Sequence, residues 1–137
     1  MMRDLHSNIE VQRAISPTRA TDDTPLVSQI IDTANFGAVE FLIATGAIAD
    51  ANVTFTVLLE DGDDSALGDN AAVADAYLLG TEAAAGFQFD DDNEVRKLGY
   101  IGPKRYLRMT ITPSGNGGNA DISVVAILSR ARKGPRS

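Results

Sequence analysis

The sequence predicts an all-β protein, with a single β-sandwich or jelly-roll-like domain of about eight strands and extended N- and C-terminal segments. Short apolar runs alternate with polar residues at a period of two. Turn-forming Gly, Asp and Pro residues separate these runs at roughly 10–15-residue intervals. No segment keeps a helical period with caps at both ends. The chain of 137 residues has the length of one ordinary domain.

Three segments follow from composition. We predict an N-terminal strand or arm over residues 1–19, a β-sandwich core over residues 20–129 and a basic C-terminal tail over residues 130–137. Pro17 ends the first alternating run, and the tail "RARKGPRS" combines four cations with Gly and Pro. An extended arm can complete the sheet edge of a neighbouring molecule, and residues 1–15 alternate well enough to do so.

Four strands are predicted in the first half of the chain. They cover residues 5–15, 25–31, 38–45 and 53–60. The third is almost continuously apolar, which predicts burial on both of its faces. The first and fourth alternate, and their predicted core faces are Leu5, Ile9, Val11 and Ile15, and Val53, Phe55, Val57 and Leu59.

The second half begins with a turn at residues 61–65, "DGDDS". Residues 72–80, "AVADAYLLG", are compatible with either a helical turn or a loop followed by a short strand. Further strands are predicted at residues 95–101, 105–112 and 121–129. In the run from residue 105, Leu107, Met109 and Ile111 share one side.

Charge is segregated along the chain. The net charge is −7, yet residues 21–94 contain sixteen acids and no Lys or Arg. All twelve basic residues lie outside that interval with only three acids, and five of the twelve fall within residues 95–112. A basic segment of an acidic protein predicts contact with an acidic partner surface. Acidic loops that are merely solvated are the alternative.

The sequence shows no pattern typical of an active site. His6 is the single histidine, no Ser stands in a Gly-x-Ser-x-Gly context, and there is no Cys. Residues 61–72 fail the EF-hand pattern, because its required Gly and Glu positions hold Ala66 and Ala72. Residues 99–104 lack the glycine spacing of a phosphate-binding loop. We therefore expect a non-enzymatic protein without a cofactor or metal.

Nucleic acid, membranes and carbohydrates are three other classes of partner. The sequence pI of about 4.5 argues against nucleic acid, because an acidic body repels a phosphate backbone. No run approaches the ~20 apolar residues of a membrane span, and no signal-peptide pattern opens the chain, so we expect synthesis in the cytoplasm and no membrane partner. A carbohydrate-binding β-sandwich needs exposed aromatic residues in a groove; the candidates are Tyr77, Phe87, Phe89 and Tyr100.

Four stretches together resemble one family. They are "MRDLHSNIEVQRAISP" at residues 2–17, the acidic turn at residues 60–64, "LLGTEAA" at residues 78–84 and "LGYIGPKRYLR" at residues 98–108. This combination is similar to small proteins encoded among the virion structural genes of tailed phages and prophages. The resemblance covers nearly the whole chain.

The resemblance implies a capsid decoration, or cement, protein on the outer surface of the virion. Such a protein would be a homotrimer that binds the major capsid protein lattice and stabilises the head. A head–tail connector or tail structural protein is the alternative within the same class. Basic residues would then face the capsid or a partner subunit, and the acidic loops at residues 61–64 and 90–92 would face outward. The candidate interface residues are Arg96, Lys97, Lys104, Arg105, Arg108, Arg130, Arg132, Lys133 and Arg136.

Overall fold

A computed structural model describes residues 4–129 of the chain. The predicted basic tail, residues 130–137, lies outside the described residues. Within them the fold is an all-β sandwich of two antiparallel sheets, which confirms the predicted class. The six long strands are β1 (Ile9–Ala20), β4 (Ala38–Ile48), β5 (Thr54–Gly62), β9 (Val95–Tyr100), β10 (Tyr106–Ser114) and β11 (Ala120–Ser129).

Short elements account for the rest of the regular structure between residues 4 and 129. Five strands of two residues raise the total above the eight predicted. They are β2 (Leu26–Val27), β3 (Ile31–Asp32), β6 (Ala71–Ala72), β7 (Leu78–Leu79) and β8 (Phe87–Gln88). Two 3-10 turns, His6–Asn8 and Asp75–Tyr77, and one helix, α1 (Glu82–Ala85), complete the set. Among these elements there is no helix of the length and apolarity that a membrane crossing needs.

In both sheets, strands that lie side by side are mostly not consecutive in the sequence. The five-stranded sheet runs β1-β11-β4-β9-β7. In the six-stranded sheet β10 and β5 pair at the centre, β2 and β3 pair with the free side of β10, and β6 and β8 pair with the free side of β5. The long strands are therefore central, except for β1, which forms a twelve-residue edge.

The core lies between the sheets and follows the alternation of the sequence. Residues Val53, Phe55, Val57 and Leu59 point inward, as predicted, and so do Leu107, Met109 and Ile111. Phe55 stacks on Phe87 of β8 with ring centroids 4.5 Å apart. The inward side chains of the five-stranded sheet are led by Phe41, Ile43, Leu98 and Leu128, none of which is exposed.

The first strand differs from its prediction. β1 continues through Pro17 and pairs with β11 along its length, so the predicted boundary at residue 19 falls inside a strand of the sandwich. Its register shifts between Arg13 and Ile15, which turns both Ala14 and Ile15 inward. The prediction that Leu5, Ile9, Val11 and Ile15 share one face is therefore wrong. Such a bulge reverses the facing of all residues on one side of it.

Burial of β4 also differs from its prediction. Val39, Phe41 and Ile43 are buried, but the alternate residues Leu42 and Ala44 are only half-buried. One face of β4 packs in the core and the other is open. The expectation of burial on both faces was wrong, because no described segment covers the outer side of this sheet.

Candidate interaction surfaces

The predicted basic residues do not gather on one surface within residues 4–129. Arg96 faces inward from β9, opposite the buried Ile43. Its guanidinium contacts Asp91 at 3.2 Å, pairs with Glu94, and donates to the carbonyl of Gly86 at 3.4 Å. The hydrogen bond to Glu94 raises the pKa of Arg96 above its ordinary value. Arg96 thus fastens the loop before β9 to the end of α1.

The loop between β9 and β10 carries two more of these cations. The ammonium of Lys104 lies 2.9 Å from Asp63. Arg105 makes a bidentate pair with Asp32, at 2.8 and 2.9 Å, and its guanidinium lies 5.0 Å from the centre of the Tyr106 ring. Both pairs join the basic flank to the acidic middle of the sequence.

Arg108 lies on the outer face of the six-stranded sheet. It stands directly opposite Glu60 of β5, and Nη2 donates to that carboxylate at 2.9 Å. Its Nε is buried and has no hydrogen-bond partner in the described part of the chain. Opposite charges at directly facing positions of neighbouring strands stabilise a sheet, so the pair gives Arg108 a structural role.

Lys97 differs from these four residues. It is exposed and points away from the core, opposite Leu42. The candidates Arg130, Arg132, Lys133 and Arg136 lie outside the described residues. Segregation of charge along the sequence is therefore not kept in space, because most of the described cations are interleaved with acids.

Many acids have a local structural role. Asp69 accepts hydrogen bonds from the backbone N–H groups of Asp63 and Asp64, at 2.9 and 3.2 Å, and these bonds lower its pKa. The same use of carboxylates recurs in other loops of the sandwich. Further carboxylates that accept from backbone N–H groups are Asp22, Asp23, Asp32, Asp50, Asp64, Asp91 and Asp92.

These acids do not form a metal centre. Among the residues that the structure describes, no group of three His, Cys, Asp or Glu side chains could hold a metal ion. His6 is exposed in the turn that precedes β1.

The aromatic candidates for a carbohydrate groove are also dispersed. Phe87 and Tyr100 are core residues, with 4% and 2% exposure. Tyr77 and Phe89 are 41% and 40% exposed. A stacking platform requires several exposed rings in one groove, and two of the four rings lie inside the sandwich.

The most unusual surface is the outer face of the five-stranded sheet. Register places its outward side chains in three rows across the strands, and most of them are aliphatic or small. The rows are Val11–Ile127–Glu40–Gly99–Leu79, then Arg13–Val125–Leu42–Lys97, then Ser123–Ala44–Val95. Antiparallel sandwiches usually present polar residues on this side.

Glu40 is the one carboxylate within these rows. It is half-buried, and this burial raises its pKa, while the positive charge of Lys97 opposes the shift. Gly99 makes room for it, because a Cβ there would lie 2.7 Å from Glu40 Oε1 and 2.9 Å from Leu79 Cβ. The carboxylate therefore lies flat over the sheet and leaves the face level.

A groove adjoins the rows at one end. It has a volume of about 580 Å³ and opens where the register of β1 against β11 shifts near Pro17. Gly46 and Ala44 form its floor, and the ion pair between Arg19 and Asp121, 2.8 Å long, forms its rim. The outer face is thus a wide, shallow surface and no deep cleft.

Known proteins resemble this chain in structure but not in sequence. No protein-family model matches the sequence, and no curated protein is significantly similar to it. The PBSX exported protein XepA has a TM-score of 0.57 and 11% identity, over 94% of this chain and 39% of XepA. The CBM22-1–GH10 modules of Clostridium thermocellum xylanase 10B have a TM-score of 0.50 and 10% identity, over 90% of this chain and 25% of theirs.

A third similar structure is the SPBc2 prophage-derived protein YomS. Its TM-score is 0.48 at 10% identity, over 88% of this chain and 93% of YomS. This chain spans well under half of XepA and of the xylanase modules. At their identities the likeness of XepA and the xylanase modules, with TM-scores of 0.57 and 0.50, shows a shared β-sandwich and assigns no activity or partner.

Sequence reasoning missed the outer face of the five-stranded sheet. Its signal was present in two runs without clean alternation, "AVEFLIAT" in β4 and "SVVAIL" in β11. The run in β4 was predicted to be buried on both faces and the run in β11 only to be a strand, whereas one side of each is open to solvent. Only the pairing of the strands shows that these open sides adjoin.

Proposed function

We propose that this chain is a non-enzymatic structural protein of a bacteriophage virion. It decorates the outer surface of the capsid as a homotrimer, binds the major capsid protein lattice and stabilises the head. It needs no cofactor, membrane or nucleic acid for this role. The resemblance in the sequence motifs is one support, and the distribution of charge and apolar surface in the sandwich is the other.

The observation that carries the proposal is the kind of surface that the sandwich exposes. The outer face of the five-stranded sheet is broad, level and largely aliphatic, which is typical of contact with another protein. Small-molecule sites are concave and focus a few polar groups on a ligand. Here the carboxylates that could act chemically hold backbone N–H groups or cations instead.

Charge supports the same role. The described sandwich has seven cations and nineteen acids, a net charge of −12, whereas residues 130–137 have four cations and no acid. An acidic body keeps copies soluble and apart at high local concentration. The basic tail is then the segment best suited to an acidic site on the capsid.

Two measurements test the proposal. The first is the number of copies per purified particle, by quantitative mass spectrometry against the major capsid protein. We expect a ratio near one to one, or one trimer for each local three-fold axis. Six or twelve copies would instead support the connector or tail alternative, and no copies would overturn the virion role.

The second measurement is co-sedimentation with heads that lack this protein. The full chain and a chain that ends at Ser129 are compared at equal concentration. We expect the full chain to saturate the heads and the shortened chain to bind less. Because residue 129 ends β11, the shortened chain keeps every strand of the sandwich. Equal binding of the two chains would remove the tail from the interface.

A further inference from the structure

The two outer faces of the sandwich have different chemistry. On the six-stranded sheet, the outward positions of β5 and β10 are mainly polar and include the pair of Arg108 with Glu60, followed along the strands by Thr54, Thr56, Thr110 and Thr112. The exposed apolar side chains Leu58 and Val27 lie on either side of Thr110. On the five-stranded sheet, the outward positions of the two central strands are Val125, Ile127, Leu42 and Ala44, with Val11, Val95 and Leu79 toward the edges. Only the second face exposes a continuous apolar surface.

We propose that copies of this chain associate with one another through the outer face of the five-stranded sheet. A contact of this face with the same face of a second copy joins two chains about a two-fold axis. The inference therefore goes beyond the proposed function, because it adds a dimer contact that is distinct from the contacts of the homotrimer.

The distribution of charge favours a second copy as the occupant. This face and its rim contain Arg13, Arg19 and Lys97 against Glu40 and Asp121, so its charge is close to balanced. The remaining surface of residues 4–129 has four cations against seventeen acids. Two copies of so acidic a body repel each other at most orientations. The outer face of the five-stranded sheet is where they can approach with little repulsion.

The shape of the face suits a contact between like surfaces. Ala44 and Ser123 are small and lie beside the larger side chains of Leu42 and Val125. The space over Gly99 is already filled by Glu40 and Leu79. Facing sheets pack about 10 Å apart when side chains of each fill the gaps of the other. A level face with aliphatic side chains and adjacent gaps meets that need. The ion pair of Arg19 with Asp121 lies at one end and leaves the rows clear.

The area of the face determines how strongly two copies are expected to associate. Strands about 4.8 Å apart and outward rows about 6.8 Å apart give about 400 Å² of level surface per copy. A contact of two such faces buries about 800–1,000 Å², which is below the range of stable specific interfaces and typical of weak, transient contacts. We therefore expect association that depends on protein concentration, with further strength gained when copies are held side by side on a lattice.

A matched pair of substitutions tests the inference. Val125 and Leu58 both point outward and are 37% and 36% exposed, but they lie on opposite faces of the sandwich. Val125→Glu places a charge in the proposed contact, and Leu58→Glu places the same charge on the other face. The molar mass of the wild type and both variants is measured by sedimentation velocity over a wide concentration range.

We expect the wild type and Leu58→Glu to form dimers as concentration rises, and Val125→Glu to stay monomeric. Circular dichroism and thermal melting show whether each variant is folded. If Val125→Glu does not fold, Val95→Glu replaces it, because Val95 is on the same face and 65% exposed. A folded variant on this face that associates like the wild type would overturn the proposed location.

A wild type that is monomeric at every concentration would overturn this inference, and the homotrimer would still be tested by the copy number on particles. Association that is lost in Val125→Glu would support this inference. Binding to heads is measured separately, so its failure would reject the capsid role and leave the result on self-association in place.

Discussion

The phenol of Tyr100 donates a 2.8 Å hydrogen bond to Oδ2 of Asp61, inside the sandwich, and so joins β9 of one sheet to β5 of the other. Tyr100 is 2% exposed and Asp61 is 9% exposed. The backbone N–H of Lys104 donates to the same phenolic oxygen at 3.0 Å. One buried polar contact thus fixes both the separation of the sheets and the path of the loop between β9 and β10.

Replacing this phenol is expected to destabilise the fold. Tyr100→Phe keeps the ring but leaves the buried Asp61 carboxylate without its donor, which typically costs about 1–3 kcal/mol. Urea denaturation measures the change in the free energy of unfolding. Tyr77→Phe is the control, since Tyr77 is 41% exposed and should change stability by less than about 0.5 kcal/mol. Equal loss in the two variants would show that the buried bond contributes nothing.

The same bond predicts how stability responds to alkali. Burial, with the hydrogen bond to Asp61 adding to it, raises the pKa of Tyr100 well above its ordinary value. The folded protein therefore keeps this phenol protonated after the unfolded chain begins to ionise it, near pH 10. Stability that is complete below that pH is lost as pH rises above it.

We expect the stability difference between the wild type and Tyr100→Phe to shrink as pH is raised from about 9 to 11. Urea midpoints at several pH values measure it. The variant is the control for the other lysine and tyrosine groups, because they titrate in both proteins. A constant difference across this range would contradict the assigned pKa shift.

The pair of Arg108 and Glu60 is expected to stabilise the six-stranded sheet. Their side chains are 25% and 18% exposed and the charged atoms are 2.9 Å apart, so solvent screens them only partly. A double-mutant cycle with Arg108→Ala and Glu60→Ala should give a favourable coupling of about 0.5–1 kcal/mol. The cycle separates the pair from loss of the arginine's own packing. Coupling indistinguishable from zero would return Arg108 to the set of free interface candidates.

The fold could be predicted because alternation in the long strands is strong. The runs around Phe55 in β5 and Met109 in β10 have one apolar face each, and both faces are buried as expected. β2 and the start of β3 fall in the single strand predicted at residues 25–31, and β7 falls in residues 72–80, where a short strand was one of the two alternatives. β6, β8 and α1 were not predicted. Two-residue pairings leave no period to detect, and α1 is held by contacts such as the Thr81 hydroxyl accepting from Ala84 N–H.

The interaction surfaces were harder to predict than the fold. Five clustered cations in the sequence suggested a basic patch, but Arg96 and Lys97 point to opposite sides of one strand. A count of charge along the chain contains no information on pairing with distant acids such as Asp32 and Asp63. The apolar face was missed for the same reason, since it requires the side-by-side order of β11 and β4.

Glu40 is expected to reduce stability at neutral pH. Burial against Leu79, Gly99 and Ile127 raises its pKa, and Lys97 only partly offsets this. The folded state disfavours the charged carboxylate, so stability falls as pH rises through the pKa of Glu40. Glu40→Gln removes the charge and should stabilise the protein at pH 7 by about 0.5 kcal/mol, since a half-exposed group is partly screened.

The difference between Glu40→Gln and the wild type should disappear below about pH 4, where the carboxyl is protonated in both folded and unfolded chains. Thermal melting at neutral and acid pH measures it. Lys97→Gln is a control of opposite sign, because it leaves the Glu40 charge without its neighbouring cation. Destabilisation by Glu40→Gln at neutral pH would show that the carboxylate makes a favourable contact instead.

The neighbours Arg96 and Lys97 offer the sharpest test of which predicted cations are available for binding. Arg96 faces inward and holds Asp91, Glu94 and the carbonyl of Gly86. Arg96→Ala leaves these partly buried groups without their cation and should destabilise the fold by about 1–3 kcal/mol. Lys97→Ala removes an exposed side chain and should change stability by less than about 0.5 kcal/mol.

For binding to heads we expect the reverse of the effects on stability: a small effect of Arg96→Ala and a larger effect of Lys97→Ala. With the folded concentration of each variant matched, Arg96→Ala is expected to bind heads like the wild type, because its charge is already engaged within the chain. At protein concentrations below those at which copies associate, Lys97→Ala is expected to bind more weakly, since this ammonium is then exposed on the outer face of the five-stranded sheet. Urea denaturation and co-sedimentation supply the two measurements. Weaker binding by folded Arg96→Ala with full binding by Lys97→Ala would mean that the ion pairs of Arg96 open on contact with the capsid.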